Sequence, residues 1–229
     1  MGCLPKGVDM TAGDARTKRR RVNGEESRQK ILLAATEIAT ERGYEGTSIG
    51  AVSQRSGLPA SSIYWHFKDK DALLAAVIEH SFGLWLAGAG GFSPRPENET
   101  VEQRLAAMME RTLKSLRDSA DFLRLGLMLA LERRAEEPSA RKMFLSVRNE
   151  ALRRTIDSYT ELFPELDARA TRQLGALTMA MADGLFVASE INGDRADITV
   201  EAEVLAAALM AAAERLASRG SRSKQSTRR

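Results

Sequence analysis

The sequence has little of what most metal sites and enzyme active sites require. Its 229 residues include a single cysteine, Cys3, and two histidines, His66 and His80. One cysteine cannot form a disulfide within the chain, and three scattered ligands are too few for a structural zinc site, which needs about four. The phosphate-binding glycine patterns GxxxxGK and GxGxxG are also missing. We therefore expect no metal, no cofactor and no catalytic residues.

Long apolar runs and strand patterns are scarce as well. The longest stretch without a formal charge is the fifteen residues from His80 to Pro94, whereas a membrane helix needs about 20 apolar residues. Residues 1–24 contain no apolar run of the kind that a signal peptide requires. Alternation of apolar and polar residues, which is typical of strands, is not sustained anywhere. We expect a cytoplasmic protein with no membrane partner.

The net charge of +3 is divided unevenly along the chain. Residues 1–24 carry +4 and residues 216–229 carry +5, which leaves −6 on residues 25–215. Both basic ends have few apolar residues, so we expect disordered tails at 1–24 and 218–229. Such tails either keep a protein soluble or contribute to binding, and the sequence leaves both roles open.

Between the tails, apolar residues recur at three- and four-residue spacing, which predicts an all-α fold. Glycine and proline residues divide this pattern into nine helices. The predicted bounds are about 27–42, 48–56, 60–67, a fourth helix from 69, 99–117, 119–135, 138–162, 167–191 and 199–217. The Gly/Pro-rich segment 87–100 interrupts the pattern most strongly. We expect it to separate an N-terminal domain, residues 25–85, from a C-terminal domain, residues 86–217.

The second and third helices are short, and about three residues, including Gly57, join them. This arrangement predicts a helix-turn-helix motif over 48–67, in which the second helix of the pair enters the major groove of DNA. On a helical wheel, Ile63 and Phe67 share one side and face the core. The other side carries two hydroxyls and two aromatic rings, from Ser61, Ser62, Tyr64 and Trp65. Hydroxyls bond bases or phosphates, and rings contact thymine methyls or sugars, so this face suits a groove.

The segment from Thr47 to Ile78, TSIGAVSQRSGLPASSIYWHFKDKDALLAAVI, resembles the DNA-binding domain of the TetR family of bacterial repressors. With the preceding helix and the GYEGTS turn, the resemblance covers about residues 25–85. Its most specific part is the ordered set Gly57, Ile63, Tyr64, Phe67, Lys70, Leu73 and Leu74. The resemblance implies a helical repressor that binds DNA as a homodimer and that a small-molecule effector releases.

The resemblance also implies roles for individual residues. The positions that meet DNA in the family are matched here by Thr47, Ser48, Ser61, Ser62, Tyr64, Trp65, His66 and Lys70. Tyr64 and His66 could instead pack against neighbouring helices. The sequence departs from the family at Gly50 and Ala60, where many members have a basic or polar residue, and at Ser61, which replaces a common glycine. Fewer direct contacts are therefore available.

The charge of the N-terminal domain is poor for DNA binding, because residues 25–80 carry a net charge of −2. Neutralisation of phosphates supplies most non-specific affinity for DNA. The basic run 16–21 lies just before the first helix and includes Arg19, Arg20 and Arg21. We hypothesise that these arginines reach phosphates or the minor groove beside the site.

Two rows of residues near the C-terminus predict a dimer. Small residues recur at every fourth position of the eighth helix: Ala176, Ala180, Gly184 and Ala188. The ninth helix adds apolar residues, including Val204 and Ala208. Small residues let another helix approach closely, so two such helices from each subunit can form a four-helix interface. The alternative is that these rows meet only within one subunit.

The middle helices carry methionines, aromatic residues and one acid that could line a ligand pocket: Met108, Phe122, Met128, Phe144, Met179 and Asp183. Methionine adapts its shape at promiscuous surfaces, although methionine at helical spacing is also typical of plain core. Asp183 could pair with a cationic ligand, bond a neighbouring helix or face solvent.

The leading hypothesis is a transcriptional repressor that binds a palindromic operator as a homodimer and is released by a small molecule. A second hypothesis keeps the DNA binding but replaces the small molecule with a protein partner or with no effector. A remote third is an all-α enzyme, which is disfavoured because both histidines lie in or near the N-terminal domain.

Overall fold

The computed structural model describes residues 11–89, 99–119, 121–131, 138–193 and 198–226, with side chains except at 11–22 and 220–226. The regular elements in these ranges are nine α-helices and no strand, which confirms the predicted fold class. In chain order they are α1 (Thr11–Gly46), α2 (Ile49–Ser56), α3 (Ala60–His66), α4 (Lys70–Ala89), α5 (Val101–Asp118), α6 (Asp121–Leu131), α7 (Ser139–Leu162), α8 (Ala168–Asn192) and α9 (Ile198–Ser226).

Helices extend into both segments that were predicted to be disordered. α1 begins at Thr11 and α9 continues to Ser226, so the prediction is wrong for residues 11–24 and 218–226. These segments contain good helix formers such as alanine, arginine and lysine. Each also continues an existing helix, which avoids the cost of nucleating a new one. The remaining tail residues, 1–10 and 227–229, lie outside the described residues.

Local backbone chemistry fixes α2, the turn and α3. The Ser48 hydroxyl accepts a hydrogen bond from the Ala51 N–H at the start of α2 (3.2 Å). Gly57 ends α2 with φ 69°, a left-handed conformation that glycine adopts without strain. Pro59 precedes α3, where its missing N–H costs nothing. The Ser53 hydroxyl donates to the Leu58 carbonyl across the turn (2.7 Å).

We call α1, α2, α3 and the first turns of α4 the head. One hydrophobic core joins the head to α6 and α7, and it runs from Ile31 on α1 to Phe144 and Val147 on α7. A second core lies among α5, α7, α8 and α9. The predicted domain boundary at 85/86 falls inside α4, which is unbroken to Ala89. Residues 90–98 of the predicted Gly/Pro loop, and 132–135 of the predicted sixth helix, lie outside the described residues.

Two helices, α4 and α8, are long and apolar enough to cross a membrane by length and composition alone, which is weak evidence. α4 packs against α1, α5, α6 and α7, as the central helix of a folded domain does. α8 packs against α7 and α9, while its residues Ala180 and Gly184 are exposed.

Candidate nucleic-acid interface and candidate ligand cavity

The two sides of α3 have opposite environments. Ile63 and Phe67 are buried against the core of the head, whereas Trp65 is 69% exposed and Tyr64 is 56% exposed. Ser61 is exposed and Ser62 is half-buried on the same outer side. A helix that presents two large aromatic rings to solvent is unusual for a free surface. Burying such rings against another surface gives a large favourable free energy, so exposed rings indicate a binding surface.

The N-terminal part of α1 lies beside the exposed ring of Trp65. A Cβ atom added to Gly24 would be 3.6 Å from that ring. On the other side, His66 meets the Trp65 ring edge-on, with centroids 4.5 Å apart. Partial burial, followed by the charge of Arg28, lowers the pKa of His66, which favours the neutral imidazole. His66 is thus a half-buried ring that supports Trp65.

The position of the basic run follows from the course of α1. The side chains of Arg19, Arg20 and Arg21 lie outside the described residues, but their backbone belongs to α1. At 1.5 Å per residue, they lie about 5–8 Å along the helix axis beyond Gly24. The run therefore continues as a helix from the point where α1 passes α3. Whether these arginines reach DNA remains a prediction.

Thr47 does not belong to this surface. Its side chain is buried, and its hydroxyl donates to the Gly43 carbonyl (2.8 Å). The prediction that Thr47 contacts DNA is wrong in this structure, because the kink of α1 at Gly43 (φ 69°) turns the hydroxyl inward. Ser48 is exposed beside it at the start of α2.

Lys70 lies at the first turn of α4, where its ammonium group already has protein partners. The Nζ atom donates to the Tyr44 carbonyl (3.2 Å), lies 3.5 Å from the Glu45 carboxylate and sits 4.4 Å from the centre of the Tyr44 ring. A phosphate bound at Lys70 would have to compete with Glu45. The sequence did not indicate the roles of Tyr44 and Glu45. These two residues lie at the end of α1 and bind the Lys70 ammonium group.

Asp71 joins the head to α7. Its carboxylate accepts hydrogen bonds from the N–H groups of Ser139 (2.5 Å) and Ala140 (3.1 Å) and from the Tyr44 hydroxyl (3.2 Å). Partial burial opposes ionisation, but these donors outweigh it and hold the pKa of Asp71 below its ordinary value. α7 begins after Pro138, with no capping side chain of its own. Asp71 supplies the negative charge that the N-terminus of a helix favours.

A second junction joins α6 to α1. The Thr40 hydroxyl donates to the Asp121 carboxylate (2.6 Å). Met128 packs against Gly43, where an added Cβ would come within 2.7 Å of its terminal methyl group. The prediction that Met128 lines a pocket is therefore wrong, because it points from α6 toward the head. Sequence spacing alone could not show which side of α6 faces the head.

A cavity of about 400 Å³ lies among α4, α5, α6, α7 and α8, within the size range of small-molecule sites. Five of the six predicted pocket residues line it, and they come from α5, α6, α7 and α8: Met108, Phe122, Phe144, Met179 and Asp183. Trp85, which sequence reasoning had not assigned to the pocket, belongs to the same wall. Its indole N–H is buried without a partner among the described residues.

The most buried charges of the cavity wall form an ion pair. Both guanidinium nitrogens of Arg148 on α7 donate to the carboxylate of Asp183 on α8, one of them at 2.9 Å. This bidentate bond raises the pKa of Arg148 further, against the effect of burial. Asp183 on α8 thus bonds a neighbouring helix, α7, which is one of the three roles that the sequence left open for it.

The residues of α8 and α9 that were predicted to form the dimer interface are not buried within a single chain. All six are exposed: Ala176, Ala180, Gly184, Ala188, Val204 and Ala208. Larger apolar residues beside them are exposed too, including Leu177, Ile191 and Val200. These six residues are therefore not covered within one chain, and the dimer remains a prediction. Among the residues the structure describes, no group of three or more His, Cys, Asp or Glu residues could hold a metal ion.

Residues 31–77 match the family model described as bacterial regulatory proteins, tetR family. The chain is 39% identical to the HTH-type transcriptional regulator AcrR of Shigella flexneri over 57 residues, which cover 25% of this chain and 26% of that protein. It is 27% identical to the HTH-type transcriptional regulator RutR of Escherichia coli strain K12 over 130 residues, which cover 56% of this chain and 58% of that protein. It therefore spans less than two thirds of either relative.

The fold also matches solved structures. The transcriptional regulator FadR from Bacillus subtilis, determined in complex with stearoyl-CoA, superposes with a TM-score of 0.60 at 19% identity, and the match covers 79% of this chain and 96% of that chain. This likeness shows the fold alone. The model match over α1 to α4 adds the domain that carries the exposed helix α3. The helix-turn-helix head of this chain, over residues 31–77, is thus similar to that of the tetR family of bacterial regulatory proteins.

Proposed function

We propose that this protein is a cytoplasmic transcriptional repressor that binds a palindromic DNA operator as a homodimer and is released by a small-molecule effector. The observation that carries the proposal is the outer face of α3, where Trp65 and Tyr64 are exposed while Ile63 anchors the helix in the core. An α-helix fits the major groove of DNA, and hydroxyl and aromatic side chains can contact base edges and backbone there. We propose Ser48, Ser61, Ser62, Tyr64, Trp65 and Lys70 as the contacts from the head.

The exposed apolar faces of α8 and α9 support the dimer. Residues on them, such as Ala180, Ile191 and Val204, lie at the surface of a single chain. A large exposed apolar patch marks an interaction surface, and the same patch on a second copy would give a symmetric interface. The two α3 helices would then meet half-sites one helical turn apart, about 34–36 Å.

The cavity supports a small-molecule effector over a protein partner or no effector. It has the size of a ligand site and lies among helices that also contact the head. α7 lines the cavity through Phe144 and Arg148 and is bonded to Asp71 at its N-terminus. Effector binding can shift an equilibrium only if it favours one arrangement of these helices. The residues proposed to line the site are Met108, Phe122, Phe144, Met179 and Asp183.

A selection of bound DNA from a random pool tests the proposal. The full chain should enrich a palindrome with half-sites about 10 base pairs apart from centre to centre. Recovery of no common sequence would overturn sequence-specific DNA binding, and recovery of a single half-site bound by a monomer would overturn the dimer. A control selection with Trp65→Ala and Tyr64→Ala combined should enrich no palindrome, because these exposed side chains supply the contacts.

A further inference from the structure

We propose that the effector cavity is selective for an uncharged, largely aromatic compound, and that the ion pair between Arg148 and Asp183 sets this selectivity. The inference rests on the proposed function, since it concerns the ligand of the same site. It differs from the sequence-based expectation that Asp183 could pair with a cationic ligand.

The inner wall of the cavity favours aromatic groups. Trp85 and Phe122 lie on this wall with ring centroids 5.7 Å apart, and Phe82 stacks on Trp85 from behind at 5.4 Å. Phe144 lies on the opposite helix, α7. Aromatic rings prefer offset or edge-on contact with other rings at such distances. A flat apolar ligand therefore gains contact with several rings at once.

The charges of the wall are already compensated within the protein. Arg148 is bound in bidentate fashion by Asp183. Arg153 donates to Glu150 and Asp157, and Arg154 donates to Glu150. On the part of the wall that the structure describes, each arginine thus has a carboxylate partner. The carboxylate of Glu161 is exposed at the rim, where water and salt screen its charge.

A charged ligand would have to break one of these pairs. Arg148 and Asp183 are both mostly buried, with side-chain exposures of 29% and 21%. An anion that recruited Arg148 would leave Asp183 without its partner, and a cation that recruited Asp183 would do the same to Arg148. Removing one partner of a buried ion pair is strongly unfavourable, because the remaining charge is desolvated without compensation. An uncharged ligand leaves the pair intact.

Three of the four wall hydroxyls, all but that of Ser158, are also engaged. Thr112 donates to the Met108 carbonyl (2.8 Å), and Thr155 donates to the Ala151 carbonyl (2.9 Å). The Thr178 and Tyr159 hydroxyls bond each other (2.7 Å). These groups offer no strong donors to a sulfonate, phosphate or carboxylate. The Trp85 indole N–H, a neutral donor without a partner among the described residues, adds one polar contact. The wall therefore suits a ligand that makes few polar contacts.

Two fluorescent probes with the same aromatic frame test this selectivity. N-Phenyl-1-naphthylamine is uncharged, and 1-anilinonaphthalene-8-sulfonate adds one negative charge. The full-length protein without DNA should bind the uncharged probe at least about ten-fold more tightly. Equal or tighter binding of the sulfonate would overturn the proposal.

Substitution of Asp183 gives the sharper test. Asp183→Asn keeps the shape of the side chain but releases Arg148 from its counter-charge. The affinity for the sulfonate should rise about ten-fold relative to the affinity for the uncharged probe. Glu190→Gln is the matched control, since it releases Arg124 from a bidentate pair between α6 and α8 that does not line the cavity. An unchanged probe ratio in Asp183→Asn, or the same change in Glu190→Gln, would contradict the inference.

If Asp183→Asn fails to fold, Arg148→Gln replaces it. That variant leaves the Asp183 carboxylate unpaired, so the sulfonate should bind still more weakly and the cationic dye proflavine should bind more tightly than to the unsubstituted protein. An unchanged proflavine affinity would count against the role of the pair.

The two tryptophans locate the probe. Trp65 lies on the head and Trp85 on the cavity wall, so Trp65→Phe leaves Trp85 as the only energy donor to the probe. Transfer should persist in Trp65→Phe and fall in Trp85→Phe; the opposite result would place the probe elsewhere, such as on the apolar face of α8.

Release of a selected operator is measured separately. Lack of operator binding would defeat the proposed function, whereas the probe ratios alone decide the ligand class.

Discussion

The Asp71 carboxylate of the head accepts hydrogen bonds from the backbone N–H groups of Ser139 and Ala140, the first two residues of α7. A helix of the C-terminal part is thus capped by a side chain of the head. The same carboxylate accepts from the Tyr44 hydroxyl at the end of α1. One residue thereby fixes the relative position of α1, α4 and α7.

Asp71→Asn should lower the free energy of unfolding by about 1–2 kcal/mol, because Asp71 accepts with both carboxylate oxygens, and asparagine removes the charge and one of these two acceptors. Urea denaturation followed by circular dichroism measures this as a lower midpoint. Asp69→Asn is the control, since Asp69 caps its own helix at Ala72 and asparagine caps about as well as aspartate. Equal loss in the two variants would show that the link to α7 contributes nothing.

The contribution of Asp71 should depend on pH. Its folded-state pKa is lowered from the ordinary value of 3.8, so folding favours the ionised form and the stabilisation is present above pH 3.8. It is lost as the pH falls through the lowered pKa of the folded state. The difference in unfolding free energy between the unsubstituted protein and Asp71→Asn should therefore shrink as the pH is lowered from 6 to 3. A difference that grows over this range would contradict the assigned sign.

Trp65→Ala should weaken operator binding by at least about ten-fold, or 1.4 kcal/mol, with little change in thermal stability, because the ring is mainly exposed. Ile63→Ala, two residues away, should act mainly on stability. It should lower the free energy of unfolding by about 2–5 kcal/mol, since Ile63 is buried. Fluorescence anisotropy with labelled operator and thermal melts separate the two effects. Unchanged affinity in Trp65→Ala would remove this ring from the DNA interface.

Replacement of Arg19, Arg20 and Arg21 by glutamine should flatten the salt dependence of operator binding. Each lost phosphate contact lowers the slope of log affinity against log salt by about 0.9. The control variant replaces Arg219, Arg222 and Lys224 at the other basic end by glutamine. Titrations at several salt concentrations give the slopes, and equal slopes in the unsubstituted protein and the N-terminal variant would exclude these arginines from DNA contact.

Ala180→Arg should convert the proposed dimer to a monomer, because the bulky charge stands in the exposed small-residue row of α8 and would be buried in the interface without a partner. Multi-angle light scattering reports the mass directly. Asn149→Arg places the same charge at an exposed site on α7 and should leave the mass at that of two chains. A dimer that survives Ala180→Arg unchanged would move the interface elsewhere.

The helix-turn-helix could be predicted from sequence because its signals are local. Ser48, Gly57 and Pro59 each act within a few residues of their own position. The Asp71 contact joins residues 68 positions apart, and no local pattern indicates it. Met128 and Phe144 illustrate the same limit, since both suit a pocket by type while only the packing of α6 and α7 shows that Met128 faces the head.

The helical ends were missed for a different reason. Composition and charge describe the cost of ordering an isolated segment, whereas residues 11–24 are an extension of α1. A helix that is already formed lowers the cost of adding the next residue. The burial of Thr47 depends in turn on the kink at Gly43, which lies directly after the predicted end of the first helix.

The continuity of α4 makes it a lever arm. It begins at Lys70 in the head and passes Trp85 on the cavity wall, about 22 Å apart along the axis at 1.5 Å per residue. Pivoting the helix by about 5° at its cavity end would displace the Lys70 end by roughly 2 Å. Two mirrored displacements in a dimer would change the separation of the heads by roughly 4 Å, more than the rise of one base pair, about 3.4 Å. A small angular change at the ligand would then be enough to put the two α3 helices out of step with the DNA.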